Sequence, residues 1–526
     1  RDLTPTLNTM GNLYLIIGNY SDAEKNIRRS MAINAKIFSE NSVKYAESLR
    51  LLEALYKELG DFKKAEETAK QVLDISMAQL GKNHIDVAFA LTQYAQVKLY
   101  NGGSPAESEK LLNQALSIVK FNLGDKTPAY ADQMKYLALL YIENKQYERA
   151  DSALNVANSI WFEKLGKTNV NSAEIAFLKG NIFVQMKKYD LAREKYNESR
   201  NIYAKLFSTQ HPGYVKATSK LARVAYMMGD YNSSQKLITE STTDYLEFTK
   251  KYFPSLSFSE KSKFWNQIKD DFEFYNSLAF KIYTSNPSVI GQMYDNVMST
   301  KALLLSSSIK LKQRILNSKD DKLIAKYNEW TGKKQLLISA LSMSKEAQQQ
   351  AGLEPSKIEK EINALEKELS ESSELFAKNF EKKNPGWKDL KSKLKSNEYA
   401  VEMIRFRYFD KNFTDSVVYA ALIVSNKTEK APIVVKMPES KKMESKYLKY
   451  YKNVVINKLD GDDYSYDVFW KPIKANIPDN ATVYFSSEGV YNELNLESLQ
   501  AEDGSFVIDK NTIIPVSNSK DILSTQ

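Results

Sequence analysis

The sequence contains no cysteine. Disulfides, thiolate metal sites and a cysteine nucleophile are therefore excluded within these 526 residues. Histidine is almost as scarce: only His84 and His211 occur, and none stands in the 315 residues after His211. A serine nucleophile in the second half would lack its usual imidazole base. A metal site at either histidine would need further ligands, and none stands at ligand spacing. No run of about 18 apolar residues exists, so no membrane span is expected in this segment. The 74 basic and 65 acidic residues are interspersed, giving a net charge of +9. With no Lys/Arg block, a solvated mixed-charge surface is expected and nucleic acid is not an expected partner. Gly102-Gly103 is no phosphate loop, because no strand pattern precedes it and no Gly-Lys-Ser/Thr follows. These residues suggest no cofactor and no metal.

What is present is a repeat. An aromatic or apolar residue, a second one six positions on, and a small residue three beyond that recur six times. The sets are Tyr14, Tyr20, Ala23; Tyr56, Phe62, Ala65; Leu99, Pro105, Ser108; Tyr141, Tyr147, Ala150; Phe183, Tyr189, Ala192; and Ala225, Tyr231, Ser234. Their spacing is 42 residues, with one extra residue best placed at Gly102-Gly103. A fixed period of this size means an array. Each unit reads as two amphipathic helices joined by a tight turn at Gly18-Asn19, Gly60-Asp61 or Gly229-Asp230, where glycine accepts a positive φ. The small residue lets the two helices approach. One pair cannot bury its apolar stripe alone, so neighbours stack into a continuous core. His84 and His211 fall at equivalent linkers, with Thr127 and Asn169 in the same column. A shared capping role is expected there.

The pattern resembles tetratricopeptide repeats. Its period exceeds the usual value of about 34, which is similar to the longer repeats of the kinesin light chain type. His84-Ile-Asp-Val-Ala88 and His211-Pro-Gly-Tyr-Val-Lys-Ala217 resemble that type's His-Pro-x-x-x-Ala linker. The first helices of such an array line a concave face. One column there reads Asn8, Arg50, Gln93 and Lys135, and the next adds Tyr94 and Tyr136. Polar and aromatic groups on an open groove suit an extended peptide or a partner helix, so these six are the expected partner-binding residues. The competing reading is that they are ordinary solvated side chains.

Beyond Glu247 the period stops, and Pro254 breaks the helix. Helices are expected over about 259–284, capped by Ser259; from Val289 to Ile315 through Leu303-Leu304-Leu305; and from Asp321 to Gln349. After a turn at Gly352–Pro355, with Ser356 as cap, Ile358, Ile362, Leu365, Leu369, Ser372 and Phe376 form an a/d seam that predicts an intrachain helical hairpin. Asn384-Pro-Gly-Trp387 ends the helical region. Six short strands follow, at 400–408, 417–424, 433–435, 482–486, 506–508 and 512–516, with helical spacing over 440–459 and about 467–475. Strands alternating with helices predict an α/β sheet. Arg405 and Arg407 share a strand face, where acidic neighbours are expected. Ser486-Ser487-Glu488 reads as a strand end and turn supporting the sheet.

From Leu256 onward the chain resembles the CHAT family of caspase-like domains. The likeness rests on Leu256–Phe280 with Asp270-Asp271-Phe272 at its centre, on Tyr294–Leu305, and above all on Val483–Leu499 followed by Asp503-Gly504 and Ile513–Ser517. Asn495 stands where that family commonly has proline. The resemblance implies a cysteine peptidase whose His-Gly and Cys lie on later strands. Neither is present, so no catalytic residue can be assigned, and these residues alone are expected to be inactive. The expected fold is mainly α: a tetratricopeptide α-solenoid (1–250), a helical hairpin region (251–395) and the first part of an incomplete α/β caspase-like domain (396–526). The expected function is a protein-interaction array regulating an attached peptidase; the alternative is a non-catalytic scaffold with a vestigial caspase-like domain. Arg1 lies within a helical pattern and Gln526 just after a strand pattern, so both ends are expected to be cuts. A lost signal peptide would leave the compartment open, with cytoplasm as the default.

Overall fold

The computed structural model describes every residue except 1, 2, 17, 18, 254, 255, 302, 304–311, 313, 314, 317, 319, 342, 344, 378–384, 458–461, 463 and 524–526. It is mainly helical and forms two compact units, one of residues 1–268 with 311–376, the other of 269–310 with 377–526.

The first unit begins with six helix pairs: α1 (Leu3–Ile16) and α2 (Tyr20–Phe38), α3 (Val43–Glu58) and α4 (Phe62–Leu80), α5 (Ile85–Tyr100) and α6 (Pro105–Leu123), α7 (Pro128–Glu143) and α8 (Tyr147–Leu165), α9 (Val170–Gln185) and α10 (Tyr189–Leu206), α11 (Pro212–Met227) and α12 (Tyr231–Tyr252). The turn inside each pair is three residues long, except Asn101–Ser104, which holds four. The extra residue thus lies where the sequence placed it. The middle turn residue is left-handed throughout the described turns, at Gly60, Gly102 and Gly229 but also at Lys145 and Lys187. Glycine is therefore favoured there rather than required. Gly18 lies outside the described residues. All six small residues of the repeat pattern are fully buried. The linker column also caps its helices. The side chains of Ser42, His84, Thr127, Asn169 and His211 accept from the backbone N–H of Tyr45, Asp86, Tyr130, Ser172 and Gly213.

Packing within the pairs follows a small-against-large rule. The odd-numbered helices carry Gly11, Ala95, Ala138, Gly180 and Ala222 in one column, and their partners carry Ile27, Leu112, Leu154, Tyr196 and Ile238. A Cβ on Gly180 would stand 2.5 Å from the Tyr196 ring, and one on Gly11 2.8 Å from Ile27. The second repeat inverts the rule, with Glu53 in the small column and Ala69 in the large one. Glu53 is completely buried, and neither of its carboxylate oxygens has a hydrogen-bond partner. Burial pushes its carboxyl above the ordinary range, Lys57 opposes this and Glu58 adds to it. Because the folded state holds this proton more tightly than the unfolded chain, stability falls as pH rises from the unfolded value near 4.5 through the raised folded one. Glu53→Leu is expected to stabilise the array by about 1–3 kcal/mol at neutral pH. Urea melts should show its advantage over the wild type growing with pH; an advantage independent of pH would remove the carboxyl as its source.

The helical region departs from expectation at several ends. Helix α13 (Phe258–Ile282) is capped by Ser257, not Ser259: the Ser257 hydroxyl and Glu260 carboxylate exchange hydrogen bonds with each other's backbone N–H. Helix α14 (Ser288–Thr300), which belongs to the second unit, stops well short of Ile315, because Lys301 turns to extended geometry and carries its ammonium into the core of that same unit, described below. Leu304 and Leu305 lie outside the described residues, as does Pro254. The expected helix from Asp321 is two, α15 (Asp321–Leu341) and α16 (Lys345–Gln350). Helix α17 (Pro355–Ala377) starts on its proline, whose missing N–H costs nothing in a first turn, so Ser356 falls inside the helix. Ile358, Ile362 and Leu369 pack with Leu323, Trp330 and Ala340, which makes α15 and α17 an intrachain hairpin.

The second unit contains a five-stranded mixed sheet: β1 (Glu398–Phe409), β2 (Phe413–Ser425), β3 (Ile433–Lys436), β4 (Thr482–Ser486) and β5 (Thr512–Val516), in the order β3-β2-β1-β4-β5. Strands β1, β2 and β3 pair antiparallel, whereas β1, β4 and β5 run parallel. The strand expected at 506–508 does not form. Phe506 makes one isolated bridge with Gln500, and Val507–Lys510 is helical because the Asp509 carboxylate accepts the Phe506 N–H. Trp470, Phe469, Phe485, Tyr491 and Met403 cover one face of the sheet. On the other, Phe409 and Phe406 meet Phe274 and Phe280.

Candidate functional site

The odd-numbered helices surround a pit of ≈ 520 Å³ to which all six contribute. Its wall combines cations, carboxylates and rings: Lys57, Lys135 and Lys216; Glu58 and Glu174; and Tyr100, Tyr136, Phe177 and Tyr203. The pit exists because the array coils far enough for its ends to meet. His211, which caps α11 through Nδ1 (3.0 Å to the Gly213 N–H), donates from Nε2 to the carbonyl of Ile16 at the end of α1. Its ring is stacked against Phe207 and Tyr203. Burial lowers the His211 pKa, and the two ring-nitrogen bonds fix the neutral Nε2–H tautomer. Lys216 reaches Glu58 at 3.5 Å across the same gap, and the Gln267 amide donates to the Glu58 carbonyl at 3.2 Å. Lys216 is the main reason the Glu58 carboxyl is held below its usual range.

Two of the six candidate residues reach this pit. Tyr136 lines it, and Lys135 lies over the Tyr136 ring. The Lys135 ammonium is nearly buried; burial works against its charge, but Glu174 at 2.7 Å and Asp132 at 3.8 Å outweigh that and keep it protonated. Asn8, Arg50, Gln93 and Tyr94 do not line the pit. Asn8 accepts from the Ser48 hydroxyl at 3.0 Å, and Arg50 donates to the Asp86 carbonyl at 3.2 Å, so both tie neighbouring repeats together. Tyr94 sits among Lys70 and Lys98. Gln93 was in the wrong column. The inserted residue follows α5, so the position equivalent to Arg50 and Lys135 is the buried Thr92. The residues sequence reasoning missed, Lys57, Glu58, Glu174 and Lys216, come from several turns of different helices, and only the closure at His211 brings them together.

The second unit contains a buried polar hub. Glu402, fully buried on β1, receives the Lys301 ammonium at 2.7 Å and the Ser486 hydroxyl at 2.6 Å on one oxygen. Its other oxygen accepts from the Ser519 N–H at 3.0 Å and from the Ser519 hydroxyl. Lys301 also donates to the carbonyls of Met403 and Ser486, both at 3.0 Å. Its three protons are thus all engaged. Ser486, at the end of β4, spends its proton on the Glu402 carboxylate and so ties β4 to β1. Ser487 bonds Asn492 at 2.7 Å. Arg405 pairs with Glu444 at 2.6 Å, and Arg407 with Asp270 at 2.5 Å and Glu273 at 2.8 Å. Among the described residues no group of three or more histidines and carboxylates could hold a metal ion, and no helix is long and apolar enough to cross a membrane.

The tetratricopeptide repeat family model matches residues 2–78 and 171–247, and the first part of the chain is built of such repeats. No curated protein matches the sequence. Several solved structures are similar to the array. Kinesin light chain TPR-like repeats of Podosopora anserina are 21% identical over 39% of this chain and 95% of theirs, with a TM-score of 0.31. BtubC (BKLC) from P. vanneervenii is 18% identical over 45% and 92%, with a TM-score of 0.34. The Rap conjugation gene regulator of plasmid pLS20, solved with the Phr* peptide, is 13% identical over 50% and 72%, with a TM-score of 0.36.

Proposed function

We propose that the pit of the repeat array captures a segment of a partner protein, and that the C-terminal unit is the opening part of a CHAT-type caspase-like domain which such capture regulates. In this reading residues 1–250 recognise, 251–395 link, and 396–526 begin the α/β domain. The observation that carries it is the pit itself: one recess to which all six odd-numbered helices contribute, with aromatic faces beside both signs of charge. Such a surface offers apolar contact, ring stacking and directed hydrogen bonds to a peptide. The parallel β1-β4-β5 core with an antiparallel flank is compatible with a caspase-like start. Regulation would follow if the partner favoured one of two arrangements of the chain. The scaffold alternative draws on a different observation, the saturated Glu402 hub and the lack of cysteine or histidine in that unit. Reading the gene beyond codon 526 separates the two: a His-Gly and a Cys on later strands support the peptidase, and their absence supports the scaffold.

Pit binding is tested with a peptide selected from a random display library against the whole chain. Tyr136→Ala and Lys216→Glu should each weaken its binding about tenfold or more, measured by fluorescence anisotropy. Unchanged affinity in both, with unchanged melting temperature, would sink the assignment.

A further inference from the structure

The loops that join one repeat to the next lie where the even-numbered helices end. Helices α2, α4, α6, α8 and α10 all finish on an apolar residue: Phe38, Leu80, Leu123, Leu165 and Leu206. Four of these are exposed, and Ile37, Phe121 and Phe162 are exposed beside them. A leucine before a left-handed cap residue has a local packing role. That role does not explain Phe121, whose side chain is 87% exposed, or Phe162, at 54%. Neither ring serves the array's core.

The same helix ends and loops are rich in lysine. Lys36, Lys82, Lys120, Lys126, Lys164, Lys167 and Lys205 are all exposed, against three acids, Glu40, Asp125 and Glu163. Lys120 pairs with Asp125 and Lys164 with Glu163. Among the described residues the other five lysines form no ion pair. No continuous basic block marks this edge in the sequence, because each repeat contributes one or two lysines 40 or so residues from the next.

We propose that this edge docks on an anionic lipid surface, with Phe121 and Phe162 inserted at the headgroup–acyl boundary and the lysines against the headgroups. The chemistry favours lipid over a folded partner. Phenyl rings that protrude into solvent need a soft or precisely recessed counterpart, and the headgroup boundary accepts them without one. Lysines around apolar tips are drawn to the negative potential of such a surface. The attachment is peripheral, through loops and helix ends.

The test is co-sedimentation of the whole chain with vesicles of phosphatidylcholine alone and of phosphatidylcholine with phosphatidylserine, at low and high salt. Binding should be confined to the anionic vesicles and weaken with salt. The double variant Phe121→Ser/Phe162→Ser, whose exposed positions should leave the melting temperature unchanged, should bind roughly tenfold more weakly or worse. Equal binding to both vesicle types, no binding to either, or full binding by the double variant overturns the proposal. Should the wild type ignore vesicles but self-associate at ultracentrifugation in a way the double variant abolishes, the edge joins copies of the chain and the lipid assignment is likewise overturned.

Discussion

Lys301→Met is expected to cost the C-terminal unit about 3–5 kcal/mol. Among the described residues, the substitution removes the only cation bonded to the Glu402 carboxylate, which water cannot reach because Glu402 is fully buried on the central strand. Ser486 and Ser519 still donate to it, but neutral donors do not offset the desolvation of a full charge. The carbonyls of Met403 and Ser486 lose their donor at the same time. The double variant Lys301→Met/Glu402→Leu removes both charges and is expected to recover most of the loss, because an apolar pair of similar volume often does as well as a buried ion pair. Hydrogen exchange read on β1 and β4 follows this unit separately from the array. Equal loss of protection in the single and double variants would show that the pair itself is not what holds the strands.

The repeat array was legible because its signal is local and repeated. The aromatic and small residues recur at a fixed period, and the linker column caps each helix through contacts two or three residues away. A single inserted residue was enough to shift Gln93 and Tyr94 out of their column. The pit was not legible, because its closure depends on a bond between His211 and Ile16, which are 195 positions apart. The Glu402 hub was hidden for the same reason: its members come from a helix end, two strands and the segment after β5. At Lys301 the apolar run that follows argued for a longer helix, but satisfying a buried carboxylate outweighed helix propensity. Phe506-Val-Ile508 has a strand's composition, yet one side-chain cap at Asp509 turned it into a helix.

Acid should loosen the α15–α17 hairpin from the first repeat before the repeats themselves unfold. The hairpin is held by Lys367, whose ammonium lies 2.6 Å from Glu24 on α2 and 2.9 Å from Glu260 at the start of α13. Arg28 braces the same Glu24 carboxylate at 2.6 Å. Burial alone would raise the Glu24 pKa; Lys367 and Arg28 together outweigh it and bring it down to about 2. A depressed carboxyl contributes its stability above the unfolded value of 4.5 and loses it as pH falls toward 2. That interval corresponds to about 3 kcal/mol. Hydrogen exchange over residues 355–377 should therefore be slow at neutral pH and accelerate near pH 3, beyond the intrinsic change in rate. Lys367→Met should give the same loss at neutral pH, because it leaves two buried carboxylates short of a cation. Glu24→Gln separates charge from shape: it keeps an acceptor for Lys367 but cannot titrate, so its helix α17 should start less protected and lose little more on acidification. If wild type and Glu24→Gln lose protection in parallel as pH falls, the acid-sensitive contact lies elsewhere, and Glu260 is the next carboxylate to replace.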